Sequence, residues 1–107
     1  MSFIHLKSKD SRRIVSEALD MNELQEEIYF GLRDKELTVK DLVEKTGRTR
    51  SVVQRALQEL KDKGVVVREG RTDKTVYYVY TSVPFEKVKA QVSRIIDRWY
   101  RDIKDKL

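Results

Sequence analysis

Apolar residues recur at helical spacing in five stretches of the chain and at alternating spacing in one. The first stretch is short: Ile14, Val15, Ala18 and Leu19 fall on one side of a helix over 12–19, with Ser11 placed to cap it. Asn22 then opens a stronger helix, with Gln25 three residues on in the capping-box position. Its apolar face runs Leu24, Ile28, Leu32, joined by Tyr29 and Phe30, and it is expected to end around Lys35. Leu37 leads into Thr38, a cap with Asp41 at N3, and the helix that follows buries Val39, Leu42 and Val43 before stopping at Gly47. Thr49 caps the next helix, where Val53, Ala56, Leu57 and Leu60 form one face and Gly64 ends the run. Val65 to Val67 begin a strand. Arg68 to Lys74 read as a hairpin loop with Gly70 relieving the backbone and Thr72 and Asp73 at the tip. Val76, Tyr78 and Tyr80, alternating with Tyr77 and Val79, predict a return strand with one face buried.

Pro84 starts the last element, and no Gly or Pro follows it. Phe85, Val88, Val92, Ile95, Trp99 and Ile103 form a stripe spaced three or four apart, flanked by Ile96 and Tyr100. A helix of that length extends roughly 35 Å, at 1.5 Å per residue, which outruns a three-helix core. The stripe therefore predicts a symmetric homodimer built on this helix. The alternative is that the helix folds back on the first helix and N-terminal segment of its own chain. The expected class is α+β, mainly α: an N-terminal arm and short helix over 1–21 (with Phe3, Ile4 and Leu6 available for packing), a winged helix-turn-helix over 22–82, and a dimerisation helix over 83–107.

Composition narrows the chemistry. Of 107 residues 38% are charged, and no apolar run approaches the ~20 residues of a membrane span. The N-terminus lacks the long apolar stretch of a secretory signal. There is no cysteine, and the one histidine, His5, lies near the N-terminus. Thiolate or histidine metal sites, cofactor chemistry and enzymatic catalysis are therefore not expected, and a cytoplasmic location is. The overall charge of +5 is unevenly placed. Between Arg48 and Thr75 eight basic residues face four acidic ones, a net of +4 over 28 residues that leaves +1 for the other 79. Neutralising phosphates needs such concentration; a solvated helix face is the bland alternative.

With Val53, Ala56, Leu57 and Leu60 inward, geometry leaves Arg50, Ser51, Val52, Gln54, Arg55 and Gln58 on the N-terminal and outer faces of their helix. Arginine forks onto guanine, glutamine pairs with adenine and valine lies on a thymine methyl, so this set suits reading a major groove. Val52 packed under the domain as a core residue is the competing assignment. Arg48, Ser51 and Thr49 suit phosphate contact or capping, and Thr38 and Lys40 open a helix whose N–H groups attract phosphate. Arg68, Arg71 and Lys74 suit the backbone or flanking minor groove.

The runs MNELQEEIYFGL, TVKDLVEKTGRTRSVVQRALQELKDKGVV and REGR…YYVY resemble the winged-helix domain of archaeal TrmB-like regulators, and more loosely the MarR and ArsR groups. VPFEKVKAQVSRIIDRWY is similar to the end of short, single-domain members. The resemblance covers nearly all of residues 20–107. It implies a dimeric transcription regulator that binds double-stranded DNA with the helix from Arg50 in the major groove. Full-length TrmB-type regulators add a C-terminal sugar-sensing domain for which this sequence leaves no room, so a carbohydrate-responsive role is not expected; any other effector stays open. Two alternatives stand beside this reading: a winged-helix protein–protein interaction module of the transcription machinery, and a low-specificity chromatin-like DNA binder.

Overall fold

The computed structural model describes residues 8–107, with side chains from Ser11 onward. The expected N-terminal arm, with Phe3, Ile4, His5 and Leu6, lies outside the described residues. In chain order the elements are α1 (Ser8–Ala18), α2 (Glu23–Gly31), α3 (Val39–Thr46), α4 (Arg50–Asp62), β1 (Val66–Thr72), β2 (Val76–Ser82) and α5 (Phe85–Lys106). The class is as expected, α+β and mainly α.

Helix starts follow local chemistry. Asn22 accepts from the Gln25 N–H while its own N–H donates to the Gln25 side chain, and Thr38 and Asp41 repeat this reciprocal pair. Thr49 Oγ1 accepts from the Val52 N–H. Ser11, by contrast, is no cap: with no Gly or Pro in 8–10, α1 starts a turn earlier, at Ser8. Nor does α2 reach Lys35. It ends at Gly31, because Leu32 is drawn into the core and Asp34 takes a left-handed φ of 59° that redirects the chain.

Those bends let Leu37 lie along β2, where it exchanges two backbone hydrogen bonds with Tyr80, of 3.0 and 2.8 Å. The hairpin is longer than its sequence suggests. β1 and β2 pair antiparallel from Val66↔Ser82 out to Thr72↔Val76, leaving only residues 73–75 as the loop. Arg68, Glu69, Gly70 and Arg71 are thus strand residues. Gly70 does not relieve a turn; it sits flat opposite Tyr78, where an added Cβ would lie 3.7 Å from Tyr78 Cε1. The return strand is not buried along one face either. Val79 and Tyr80 enter the core, but Val76, Tyr77 and Tyr78 stand in solvent because the wing projects past the helices that would cover them.

The core joins all five helices and the base of the hairpin, with Ile28, Tyr29, Leu32, Leu42, Val53, Leu60, Val65 and Val88 fully enclosed. Each such side chain contributes about 1.5–3 kcal/mol relative to exposure. α5 divides into two halves. Its inner half returns to α1 and the core, burying Val88 and Val92, and Gln91 Nε2 donates to the Lys63 carbonyl at 2.8 Å. Beyond Ile96 the helix leaves the domain, with Trp99, Tyr100 and Ile103 exposed. Val88 and Val92, expected on a dimer face, are interior residues of their own chain.

Candidate nucleic-acid interface

α4 is held in orientation by the four residues it buries: Val53, Ala56, Leu57 and Leu60. With those inward, Arg50, Ser51, Val52, Gln54, Arg55 and Gln58 all face solvent. Val52 is 41% exposed, which settles its side of the helix: it is outward and not a second core valine. Arg48, Arg50 and Arg55 have no ion pair or side-chain hydrogen bond among the described residues. Gln58 is engaged, its Nε2 donating to Asp62 Oδ1 at 2.9 Å. The first turn of α4 carries no acidic residue, so the positive end of its dipole is uncompensated. Gly47 makes the turn into this helix with a left-handed φ of 72°, where glycine is at ease.

α3 presents a different end. The Asp41 carboxylate accepts from the Thr38 N–H at 2.9 Å, and Thr38 Oγ1 accepts from the Asp41 N–H at 3.1 Å. That carboxylate competes with an incoming phosphate, and Thr38 serves as a cap. Lys40, one turn residue away, remains exposed.

On the wing the three cations differ. Arg68 places its guanidinium 4.3 Å from the Tyr78 ring centroid, a cation–π contact that aligns it along the strand pair. Arg71 pairs with Glu69 at 2.7 Å and also with Glu36, which precedes Leu37. Its guanidinium is held protonated above its ordinary range, chiefly by the Glu69 hydrogen bond, with burial opposing and the Glu36 charge assisting. Lys74 stands at the tip, exposed and unpaired among the described residues. Sequence reasoning missed Tyr78 as the platform for Arg68 and Glu36 as the partner of Arg71. A glycine across from a tyrosine in the hairpin was a usable signal for the first; a partner 35 residues distant leaves none for the second.

Of the residues assigned to dimerisation, Phe85, Ile95 and Ile96 are half-buried on their own domain, whereas Trp99 and Tyr100 are each 64% exposed and Ile103 lies beside them. Among the described residues no helix is long and apolar enough to cross a membrane, and no group of histidines or carboxylates has the arrangement of a metal site.

Residues 15–86 match the family described as the sugar-specific transcriptional regulator TrmB. The chain belongs to the TrmB family. The uncharacterized protein MJ1082 of Methanocaldococcus jannaschii is 33% identical over 88 residues, 80% of this chain and 73% of that one. Among solved structures, a possible transcriptional regulator from Methanosarcina mazei Go1 superposes with a TM-score of 0.80 at 15% identity, over 99% of this chain and 92% of that one. A crystal structure of the S. aureus MepR–DNA complex gives 0.63 at 20% identity, over 92% and 82%. The family match places the chain among transcriptional regulators, and the structural likenesses show the winged-helix fold.

Proposed function

We propose that this TrmB-family chain is a sequence-specific regulator that binds double-stranded DNA as a homodimer. The observation that carries the reading is the outer face of α4: Arg50, Ser51, Val52, Gln54 and Arg55 project together, their apolar neighbours locked inward, and neither arginine is spent on an internal ion pair. In a major groove Arg50 or Arg55 takes guanine, Gln54 adenine and Val52 a thymine methyl, each good contact giving ~1–3 kcal/mol of discrimination. Gln58 joins them by giving up Asp62. Arg48, Thr49 and Lys40 take phosphates around the helix, while Arg68 and Lys74 extend along flanking backbone or minor groove. Arg71 acts mainly to brace the wing through Glu36 and Glu69. The fold likeness to MepR, whose structure is of a DNA complex, supports this arrangement at the level of architecture.

Trp99, Tyr100 and Ile103 supply the dimer contact, with Ile95 and Ile96 at its inner margin. Paired recognition helices then enter major grooves about 34 Å apart, which calls for a roughly palindromic site.

Selection from a randomised DNA library at two salt concentrations tests the reading. The recovered site is expected to be symmetric, Gln54→Ala and Arg55→Ala to flatten its base preference, and Lys74→Ala to weaken all sequences alike while lowering the salt slope by about one. Unchanged preference in the α4 variants, or no binding at low salt, overturns it.

A further inference from the structure

A cleft opens where α1, the end of α2 and the first turn of α5 meet. Ser11, Arg12, Phe30, Arg33, Asp34 and Phe85 line it, an open groove of about 420 Å³, within the ~300–1,000 Å³ range of small-molecule sites. Its two arginines are held by aromatic rings. The Arg12 guanidinium lies 4.4 Å from the Phe30 centroid and that of Arg33 lies 3.9 Å from the Phe85 centroid. A cation–π contact of this kind engages the ring face and leaves guanidinium N–H donors available. Neither arginine has an ion pair or side-chain hydrogen bond among the described residues, although Asp34 lines the same cleft.

Ser11 and Phe85 also border a narrower slot of about 40 Å³, lined by Ile14, Val15, Val92 and Lys89. That volume exceeds the ~10–15 Å³ one water needs, and its walls are mainly apolar. Lys89 Nζ lies 5.8 Å from the Phe85 centroid, on a ring that Arg33 also approaches. A wide groove carrying two arginines and one aspartate thus adjoins a small apolar recess, the two sharing Ser11 and Phe85.

We propose that this cleft binds a small organic anion, its carboxylate or phosphate held by Arg12 and Arg33 and its apolar body lying against the Phe30 and Phe85 rings. Two like charges lining one groove favour an anion between them, and planar bidentate recognition of such oxyanions is what arginine does well. The ligand joins α1 and α5, which flank the winged core, to the segment leading into α3. The site stands apart from α4 and the wing, so it does not depend on the DNA reading.

Isothermal titration at low ionic strength tests it, with phenyl phosphate and benzoate as probes and benzyl alcohol and inorganic phosphate as controls. Saturable binding of one anion per chain is expected, weakened about tenfold or more by Arg33→Gln and by the exposed Arg12→Gln, since losing a charge-assisted hydrogen bond costs that order. Arg33→Lys should recover only part. A variant carrying Arg50→Gln and Arg55→Gln should bind the probes unchanged, inorganic phosphate should bind more weakly and benzyl alcohol not at all. Absence of saturable binding, or binding that survives Arg12→Gln and Arg33→Gln but disappears in the α4 variant, overturns the site while leaving the library selection to decide on DNA.

Discussion

Tyr29 is wholly enclosed, with its ring edge-on to Phe30 at 4.9 Å, yet its hydroxyl finds no partner among the described residues. Burial pushes its pKa up from 10.0 to about 12, with the Arg33 charge acting in the opposite sense. A raised pKa means the folded state holds the proton more tightly than the unfolded one. The associated stability is therefore intact below pH 10 and is lost as pH climbs from 10 to 12, at about 1.4 kcal/mol per unit. Tyr29→Phe deletes a buried hydroxyl that earns no hydrogen bond, so it should raise stability by roughly 1 kcal/mol at neutral pH. It should also flatten the alkaline decline. Urea unfolding of both proteins at intervals from pH 7 to 12 checks the two effects together. At this scale the sequence was most informative on α4. The spacing of Val53, Ala56, Leu57 and Leu60 placed every outward residue correctly, because a helix whose inner face is fixed has only one outer face. Thr38 and Asp41 cap each other at α3 as their spacing predicts; what spacing leaves out is the competition of that carboxylate with a phosphate, which is a matter of charge at a point in space.

Among the elements, the turn between α3 and α4 sets how the proposed reading face is presented. Gly47 adopts φ 72°, and a Cβ there would touch nothing within 4 Å, so the penalty for Gly47→Ala is backbone strain alone. A loss of about 1 kcal/mol is expected by thermal or urea unfolding, with Gly47→Asn losing less because asparagine tolerates this region. The starts of α2, α3 and α4 were legible, since their caps are built from residues three apart, whereas that of α1 was not. Ends were harder: α2 stops at Gly31 because Leu32 has somewhere to be buried and Leu37 has a strand to join, both long-range facts. The wing misled for another reason. Period-two alternation identifies a strand only where one face is dry, and from Arg68 outward the hairpin has water on both sides. Its pairing continues through a polar Arg-Glu-Gly-Arg run that reads as a loop.

For the whole molecule, α5 is where pattern and partner part company. The stripe from Phe85 to Ile103 is continuous in sequence, but it changes the surface it serves near Ile96. Periodicity shows that a helix face is apolar and is silent on which neighbour covers it: the inner half folds back on its own domain, as one of the two expectations had it, and the outer half is exposed. The two halves should respond differently to substitution. Val88→Ala, within the core, is expected to cost about 2 kcal/mol of folding stability. Trp99→Asp should leave the fold intact and move the sedimentation coefficient towards that of a single chain; an unaltered coefficient would place the contact elsewhere.

Because α5 is one unbroken rod, its inner anchorage is also a fulcrum. Ile103 lies eleven residues beyond Val92, roughly 16 Å along the axis at 1.5 Å per residue, so a 10° tilt about Val92 swings it by about 3 Å. With the outer tips clasped in a pair, the same tilt would instead swing each reading head. Half-site spacing would then be set by a hinge angle at Phe85 and Val92, well away from any residue proposed to touch a base.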